Sequence, residues 1–311
     1  MGVMLVTGGA GFIGSHLAAA LAARGDAVRV LDNLSSGRAE NLHGLDVELH
    51  IGDICDPKQV EKAVDGVEVV FHQAALVSVP RSMSDPLRWF QVNLMGSLNL
   101  LWCAQRAGVR RVVLASSAAV YGESEAPVPE SGPLHPLSPY AEAKLAMEGA
   151  ARLFSDAYGI SCICLRYFNV YGPRQPANSP YAAVIPIFLE AMFSGRPPVI
   201  HGDGAQRRSF VFIDDVVQAN LLAADRRDVH GSLNIASKKS VSILELAALL
   251  QEIIPNAPPP LFGPPRAGDI RSSSADGAAA ERQLGFRSQV DIGQGLRRTI
   301  DWYSREGMRN P

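Results

Sequence analysis

The stretch MLVTGGAGFIGSHLAAAL, residues 4–21, joins an apolar strand-like run to a glycine-rich turn and then to an amphipathic helical pattern. Gly8, Gly11 and Gly14 are spaced by three, and Gly9, Gly11 and Gly14 also satisfy G-x-G-x-x-G. Glycine is needed where such a turn is tight, where the backbone closely approaches a pyrophosphate and where the helix packs on the sheet. The helix N-terminus also offers amide donors to an anion. The stretch therefore predicts the first strand, turn and helix of a dinucleotide-binding domain.

The same alternation of strand-like and helical patterns continues through the first half of the chain. The strand-like runs are residues 3–7, 27–32, 47–50, 67–72, 111–116 and 161–166. Strands that alternate with helices need crossover connections, which produce a parallel sheet covered on both faces. The predicted fold class is α/β, a doubly wound parallel (Rossmann) sheet with a smaller C-terminal substrate-binding lobe.

After about residue 168 the pattern changes to longer loops rich in proline and glycine. Strand-like pieces at 198–200 and 207–212 precede predicted helices at 213–225, 243–254 and 292–306. Ser242 and Glu245 form a capping-box pattern ahead of the second of these helices. We expect residues 1–168 with 205–235 to form the NAD-binding domain, and 169–204 with 236–311 to form the substrate lobe.

Composition excludes several classes of partner. The chain has 311 residues, 47% of them hydrophobic, and a net charge of -2, so it carries no electrostatic footprint for nucleic acid or an anionic membrane. No apolar run approaches the roughly 20 residues that span a bilayer, and the N-terminus shows no targeting signal.

The cysteine and histidine spacings predict neither disulfides nor a metal site. Cys55 and Cys103 stand alone, and Cys162 and Cys164 alternate within an apolar run, as core thiols of a cytoplasmic protein would. His16, His72 and His201 lack metal-ligand spacing, so no metal is expected.

Two acids at strand ends favour NAD as the dinucleotide. Asp32 ends the second strand-like run, where a carboxylate can accept both ribose hydroxyls and would repel the 2'-phosphate of NADP. Asp53, within GDI at residues 52–54, fits a contact with the exocyclic amine of adenine. The alternative is a glycine turn that binds nothing, with both acids as solvated strand ends.

The candidate catalytic group combines LASSAAVYGE, residues 114–123, with SPYAEAK, residues 138–144. Tyr140 and Lys144 share one helix face because they are four residues apart. Lowering the pKa of a phenol from about 10 to about 7 takes roughly 4 kcal/mol, which Lys144 and a positive nicotinamide ring can supply. Ser117 would bridge the substrate hydroxyl and Tyr140, and Lys144 would also anchor the nicotinamide ribose. The alternative is an exposed tyrosine above a salt-bridging lysine.

Six ordered motifs carry a resemblance to a known family. They are TGGAGFIG (7–14), HQAA (72–75), SSAAVYG (116–122), SPYAEAK (138–144), RYFNVYGPRQ (166–175) and RRSFVFIDDV (207–216). Together they resemble the extended short-chain dehydrogenase/reductase family, in its branch of nucleotide-sugar 4-epimerases that act on UDP-hexoses and UDP-N-acetylglucosamine. The resemblance runs from residue 2 to about residue 303.

The resemblance implies an isomerase with a tightly held NAD that is not consumed. Tyr140 removes the proton of the sugar 4-hydroxyl while hydride leaves C4, and the 4-keto sugar then turns about its pyrophosphate before hydride returns to the other face. The implied catalytic residues are Ser117, Tyr140 and Lys144. The implied cofactor contacts are Gly8, Gly11, Phe12, Ile13, Gly14, Asp32, Asn33, Ser36, Gly37, Asp53, Ile54, Gln73, Ala74, Ala75, Asn93, Ser116, Tyr140, Lys144 and Tyr167. Asn93 would hydrogen-bond the loop behind the nicotinamide, or else cap a buried segment without a ligand.

The resemblance also implies a UDP-sugar site. Arg208 and Arg266 would grip the pyrophosphate, and Asp269 would bind the uridine ribose. Ser273, where strict UDP-galactose epimerases tend to have tyrosine, would leave room for an N-acetyl group. The full set of implied contacts is Val77, Ser78, Ser117, Asn169, Gln175, Ala183, Val184, Val199, His201, Arg208, Arg266, Asp269 and Ser273. The alternative is that Ser272, Ser273 and Ser274 are only a small-residue strand edge.

Other activities within the family remain alternatives. A UDP-glucose 4-epimerase restricted to plain hexoses is the nearest; a net oxidoreductase on nucleotide sugars and a non-catalytic NAD-sensing module are more distant. The 4,6-dehydratases carry Asp-Glu where this chain has Ala118 and Ala119. UDP-glucuronate 4-epimerases, a less favoured alternative, tend to have Thr in place of Asn169 and Arg in place of Pro176.

An apolar stripe at helical spacing consists of Trp89, Phe90, Leu94, Leu98 and Leu101. In the family that the chain resembles, this helix and the helix that starts at Tyr140 commonly build a dimer, so a homodimer is expected.

Overall fold

The structure is a computed structural model that describes residues 2–124, 127–176, 183–265 and 270–307. Its strands are β1 (Val3–Thr7), β2 (Ala27–Asp32), β3 (Val47–Ile51), β4 (Val67–His72), β5 (Arg111–Ser117), β6 (Ser161–Tyr167), β7 (Val170–Tyr171), β8 (Val199–His201), β9 (Arg207–Arg208), β10 (Val211–Phe212), β11 (Gly231–Ile235), β12 (Val241–Ser242), β13 (Leu261–Gly263) and β14 (Ser272–Ser273). Its helices are α1 (Phe12–Ala23), α2 (Pro57–Val64), α3 (Val79–Ser84), α4 (Pro86–Phe90), α5 (Ser97–Arg106), α6 (Pro139–Tyr158), α7 (Val184–Phe193), α8 (Ile213–Asp225), α9 (Ile243–Ile253), α10 (Ala278–Leu284) and α11 (Ile292–Trp302).

Among these residues, seven strands form one parallel sheet in the spatial order β11–β6–β5–β4–β1–β2–β3. The strand order reverses between β1 and β4, and ligands bind at such a reversal, beyond the carboxyl ends of the strands. The predicted doubly wound fold is therefore confirmed, and the glycine turn after β1 lies at the reversal.

Side-chain alternation along the strands places a hydrophobic layer on each face of the sheet. Val6 on β1 and Val113 on β5 are fully buried among residues of α1 and α8. Their neighbours Leu5 and Val112 are fully buried on the other face, among residues of α2, α5 and α6. Runs of apolar residues without polar alternation are typical of strands that are covered on both faces.

The second half of the chain departs in detail from the pattern expected of it. The expected strand at 207–212 is split at Ser209: β9 pairs with β12 and β14, whereas β10 pairs with β7. The seventh strand of the central sheet, β11, was not among the predicted runs. It is short, and its pairing partner β6 lies far away in sequence. Helix α11 ends at Trp302, and a π-type turn continues to Gly307.

A further hydrophobic cluster lies outside the central sheet and packs α7, α9 and α11 together. Ser242 and Glu245 form the capping box that the sequence predicts at the start of α9. The division into residues 1–168 with 205–235 and 169–204 with 236–311 stays a prediction. None of the helices in the described residues has the length and hydropathy needed to cross a bilayer.

Candidate active site

The turn after β1 can be built only with small residues at two positions. Gly8 has a φ of 67°, and a Cβ on it would lie 2.7 Å from the backbone nitrogen of Ala74. A Cβ on Gly14 would clash with the carbonyl oxygen of Gly8. The loop that follows β4 therefore lies directly against the turn, at a place where only glycine fits.

The N-terminus of α1 is arranged to receive an anion. Its N-cap is Gly11, for which the structure records no side-chain cap, and the first turn holds no acid. The helix dipole and the amides of Phe12 and Ile13 can therefore act on a phosphate group. The side chains of Phe12 and Ile13 pack against the cluster of α7, α9 and α11.

Asp32 ends β2 beside this turn. Its Oδ2 accepts a hydrogen bond from the backbone of Ala10 at 2.9 Å, and its Oδ1 accepts one from Leu34 at 2.8 Å. The carboxylate is 7% exposed, and each oxygen keeps a lone pair for a ribose hydroxyl. Gly37 lies against Asp32, in the same loop as Ser36. This donor and acceptor set fits NAD.

Asp53, after β3, is held in its charged form next to this loop. Burial raises the pKa of its carboxyl, but hydrogen bonds from the backbone of Cys55 at 2.8 Å and from Asn33 at 3.1 Å outweigh burial and lower it. The side chain of Ile54 is buried in the cluster of α2 and α5. Asn33 and Asp53, both predicted cofactor contacts, are thus brought together.

A histidine that the sequence analysis gave no role holds the loop over the glycine turn. His72 ends β4, and its Nδ1 lies 2.7 Å from Oγ1 of Thr7, which accepts a hydrogen bond from the backbone of Ala74. Its Nε2 lies 2.8 Å from Oγ of Ser97. Burial and the charge of Lys144 lower the pKa of His72 to about 3, so the ring is neutral. The HQAA motif was the sequence signal for this group.

Asn93 extends the same network. Its Oδ1 accepts from the backbone of Leu76 at 2.8 Å, and its Nδ2 donates to the carbonyl of Leu76 at 2.9 Å. Its own carbonyl accepts a hydrogen bond from the hydroxyl of Ser97. Because that hydroxyl is already used as a donor, Ser97 accepts the hydrogen bond from Nε2–H of His72. Asn93 therefore binds the loop after β4, and its place behind the nicotinamide stays a prediction.

Two further predicted cofactor contacts meet through a residue that the sequence analysis missed. Gln73 and Tyr167 both hydrogen-bond Asn220 on α8, at 3.1 Å and 3.0 Å. Nothing in the local sequence marks Asn220, which lies 147 and 53 residues from its two partners. Ala75 is half-buried in the same loop, Val77 is exposed, and Ser78 caps α3.

The predicted catalytic residues come together at the carboxyl end of β5. Ser138 is the N-cap of α6, and its Oγ accepts from the backbone of Ala141 at 3.2 Å. This cap sets the first turn, which carries Tyr140. The phenol hydrogen-bonds the side chain of Ser117, and Nζ of Lys144 donates to the carbonyl of Ala115 at 2.6 Å.

Burial dominates the protonation of these groups. It raises the pKa of Tyr140, and the Ser117 hydrogen bond only partly offsets it. Burial lowers the pKa of Lys144 to about 8, opposed by Cys164 and Glu148. The protein's own groups therefore do not lower the phenol pKa. The lowering expected from the sequence depends on the second charge, the positive nicotinamide ring.

Ser116, a predicted cofactor contact, donates its hydroxyl to Glu148 at 2.5 Å. Glu148 is four residues beyond Lys144 on α6 and forms a salt bridge with Arg166. Neither residue was singled out in the sequence. The i, i+4, i+8 spacing from Tyr140 was the signal for Glu148, since it repeats one helix face.

The residues predicted to border the sugar include Ser273 on β14, which belongs to the small sheet β12–β9–β14. We call the part of this sheet around Ser273 the sugar wall. Ser273 pairs with Arg208, and the carbonyl of Ser273 accepts from the backbone of Ser209 at 2.9 Å. Asn169 donates to the carbonyl of Ser209 at 3.3 Å, so three predicted substrate residues lie on neighbouring segments. Oγ of Ser272 lies 3.4 Å from that of Ser274, which places Ser273 on the opposite face of the strand.

The remaining predicted substrate residues are more dispersed. Gln175 donates to the carbonyl of Val170 at 2.9 Å, while its buried Oε1 has no hydrogen-bond partner among the described residues. Ala183 is the N-cap of α7, which begins at Val184. Val199 and His201 lie on β8, which pairs with β13. Arg266 and Asp269 lie outside the described residues.

Comparison with known proteins gives a family match and close relatives. The model of the NAD dependent epimerase/dehydratase family matches residues 4–236. The chain is 40% identical over 306 residues to a UDP-glucose 4-epimerase of Mycolicibacterium smegmatis, covering 96% of this chain and 97% of the relative.

Two solved structures are similar along nearly the whole chain. A UDP-N-acetylglucosamine 4-epimerase from Methanobrevibacter ruminantium, in complex with UDP-N-acetylmuramic acid, has a TM-score of 0.94 and 39% identity, covering 97% of this chain and 98% of that one. A UDP-glucose 4-epimerase of Thermus thermophilus in complex with NAD has a TM-score of 0.90 and 36% identity, covering 98% and 99%.

Proposed function

Because the chain belongs to the NAD dependent epimerase/dehydratase family, we propose that it is a UDP-sugar 4-epimerase that interconverts UDP-GlcNAc and UDP-GalNAc and also accepts UDP-Glc and UDP-Gal. The observation that carries the proposal is that Lys144 donates to the carbonyl of Ala115 at 2.6 Å, which sets the helix face of Lys144 and Tyr140 against the end of β5, where Ser117 lies beside the phenol. This group stands at the end of β5, which pairs with β4, and the turn that fits NAD follows β1 on the other side of β4.

The chain's own residues have separate tasks in the reaction. The α1 N-terminus binds the pyrophosphate of NAD, and Asp32 binds its adenosine ribose. Held by these residues, NAD would supply the hydride acceptor that the reaction needs. Tyr140 accepts the proton of the 4-hydroxyl, Ser117 orients that hydroxyl, and Lys144 keeps a positive charge beside the phenolate. Inversion at C4 requires the 4-keto sugar to turn over in the site between removal and return of the hydride, and Tyr140 and Ser117 then end in their starting states.

The choice of an N-acetylated sugar rests on the wall that carries Ser273. Ser273 pairs with Arg208, the residue proposed to bind the pyrophosphate, and its side chain lies on the opposite face of β14 from Ser272. A hydroxymethyl group there leaves the space that an acetamido group needs. The likeness to a UDP-N-acetylglucosamine 4-epimerase supports the same choice. Small residues admit the larger sugar without requiring it, so plain hexoses are also substrates.

Ala118 and Ala119 support epimerisation over dehydration. They occupy the two positions directly after Ser117, in a single 3₁₀ turn. Elimination of water from a sugar needs an acid and a base at those positions, and methyl groups can provide neither. We also propose a cytoplasmic location, which four free thiols support: Cys103, Cys162 and Cys164 are buried and Cys55 is half-buried.

The test is an epimerisation assay with Tyr140→Phe. We expect purified wild-type protein to convert UDP-GlcNAc to UDP-GalNAc without consuming NAD, and Tyr140→Phe to lower kcat by about 10²- to 10⁴-fold, because the proton acceptor is lost. Tyr158→Phe is the matched control, since Tyr158 is 48% exposed at the far end of the same helix. Product would be measured by separating the two UDP-sugars.

Each other outcome points to an alternative. Turnover of UDP-Glc without turnover of UDP-GlcNAc would support a plain hexose epimerase. Formation of NADH in proportion to substrate would support a net oxidoreductase. Bound NAD without turnover of any UDP-sugar would support an NAD-sensing module.

A further inference from the structure

Three side chains that follow one another at one-turn intervals on α6 contact three consecutive residues of β5. Tyr140 bonds Ser117, Lys144 bonds the carbonyl of Ala115, and Glu148 accepts from Ser116. Tyr140 and Lys144 belong to the proposed reaction, whereas Glu148 has no part in it so far. Its contact nevertheless holds the residue directly before Ser117.

The Glu148 carboxylate is buried and its hydrogen-bonding capacity is filled. It is 8% exposed, and Oε1 accepts from Ser116 at 2.5 Å and from Nε of Arg166 at 2.9 Å. Oε2 accepts from Nη2 of Arg166 at 2.6 Å and from Ser232 at 2.9 Å. Four donors converge on one carboxylate, and the bidentate arginine fixes its plane.

Arg166 extends this hydrogen-bond network towards the predicted sugar wall. Its Nη1 donates to the hydroxyl of Tyr121 at 2.6 Å, and Tyr121 donates to Oδ1 of Asn234 at 2.7 Å. Nδ2 of Asn234 donates to the carbonyl of Val128 at 2.9 Å.

The backbone completes this path to the serines. The amide of Val128 donates to the carbonyl of Ser274 at 3.0 Å, and the amide of Asp276 donates to the carbonyl of Val128 at 3.0 Å. Ser274 directly follows β14, which carries Ser273. An uninterrupted chain of hydrogen bonds therefore runs from Ser116 to the segment after β14.

We propose that Glu148 and Arg166 are positioning residues that fix Ser117 against Tyr140 and, through the same ion pair, hold the wall that carries Ser273. This proposal rests on the proposed epimerase function, because a positioning role for Glu148 and Arg166 presupposes that Ser117 and Tyr140 take part in the reaction. A shift of Ser117 relative to Tyr140 lengthens the path of the proton, and catalysis is sensitive to displacements of about 1 Å.

The pair also acts on the charge of Lys144. Burial lowers the pKa of Lys144, while Glu148 on the same helix and Cys164 on β6 oppose that effect. Two further ionisable groups face Lys144, and both are neutral: His72 on β4, whose pKa is lowered to about 3, and the phenol of Tyr140 on the same helix, whose pKa is raised by burial. Removal of the Glu148 charge lowers the pKa of Lys144 further. Lys144 then loses its proton at a lower pH, and the alkaline limb of the kcat profile moves to lower pH.

The test compares Glu148→Gln with Ser232→Ala. The glutamine has the length of the glutamate but no charge, whereas Ser232→Ala removes one hydrogen bond to the same carboxylate and leaves the charge. For Glu148→Gln we expect kcat to fall about tenfold or more, KM for the UDP-sugar to change by less than about threefold, and the alkaline limb to shift to lower pH. Ser232→Ala should keep the wild-type kcat and pH profile.

A second variant protects the test against misfolding. Glu148→Gln leaves an uncompensated buried guanidinium, so Glu148→Gln with Arg166→Met removes both charges together, a change that proteins tolerate better. The double variant should show the same loss of kcat and the same direction of pH shift. A folded variant of either kind with wild-type kcat and pH profile would overturn the proposal.

Hydrogen exchange gives a readout that does not need turnover. In the double variant, amides in segments 116–121 and 127–132 should exchange faster than in the wild type, while those of α1 should not change. If both segments exchange at the same rate in the double variant as in the wild type, the proposal is overturned, whether or not the wild type turns over a UDP-sugar. A wild type that turns over no UDP-sugar would by itself reject only the proposed function.

Discussion

The relative position of Tyr140 and Lys144 follows from their spacing in the sequence, whereas their pKa values depend on the tertiary structure. The four-residue spacing puts both on one helix face, and the tertiary structure buries both almost completely. Burial disfavours the charged form of each group, so it raises the pKa of Tyr140 and lowers that of Lys144 to about 8. The free protein is therefore poised with a neutral phenol and a lysine that is easily deprotonated.

Ser273 is the residue whose size we expect to decide the substrate. Ser273→Tyr should lower kcat/KM for UDP-GlcNAc by about 10- to 200-fold, because the ring fills the space for the acetamido group, and should leave UDP-Glc within about threefold. The measurement is kcat/KM on both substrates.

Ser273→Ala is the matched control for this change. It removes the hydroxyl without adding bulk, so both substrates should keep their wild-type kcat/KM. Equal losses on the two sugars in Ser273→Tyr would show that the side chain does not face the acetamido group.

At the scale of elements, α6 is the helix that carries the proposed catalytic residues Tyr140 and Lys144. Its face of Tyr140, Lys144 and Glu148 meets three residues of β5, and its N-cap Ser138 lies two residues before the phenol. The cap therefore stabilises the helix and at the same time positions the turn that carries Tyr140. Helix α9 has an N-cap of the same residue type, Ser242, away from the predicted catalytic residues.

The two caps predict a matched pair of variants. Ser138→Ala and Ser242→Ala should each lower the free energy of unfolding by about 1 kcal/mol, because each removes one cap hydrogen bond. Only Ser138→Ala should also lower kcat, by about tenfold, since it loosens the turn that carries Tyr140. Urea unfolding and steady-state kinetics measure the two effects. A comparable fall in kcat for Ser242→Ala would indicate a general loss of order instead.

For the whole molecule, the outer surface of α5 and α6 indicates how copies of the chain associate. Trp102 is 45% exposed and Leu153 58% exposed, and the Trp102 ring lies 6.0 Å from that of Tyr158. Exposed apolar side chains on two adjacent helices are typical of a surface that another copy covers. We therefore propose a homodimer formed through α5 and α6.

Trp102→Glu combined with Leu153→Glu should dissociate that dimer. Two charges placed in an apolar interface cannot be paired across it, so the protein should sediment as a monomer at micromolar concentration. Leu244→Glu is the control, because Leu244 is similarly exposed at 46% but lies on α9. Wild-type protein that sediments as a monomer would contradict the proposal.

Much of the fold and part of the site could be predicted from local patterns. The glycine spacing, the acids at the ends of β2 and β3, and the four-residue spacing of Tyr140 and Lys144 each describe backbone geometry or a helix face. Such features are determined within a few residues of the chain. They were sufficient for the doubly wound sheet and for the shared helix face of Tyr140 and Lys144, whereas the catalytic role of that pair stays a prediction.

The tertiary structure alone decided which distant groups meet. Arg166 is 18 residues from Glu148, Asn234 is 113 from Tyr121, and Asn220 is 147 from Gln73, so no local period connects them. The split of the 207–212 segment and the place of β11 at the sheet edge likewise depend on strands far away in the chain. Periodicity records which face of an element is buried, whereas the partner on that face depends on how the elements pack.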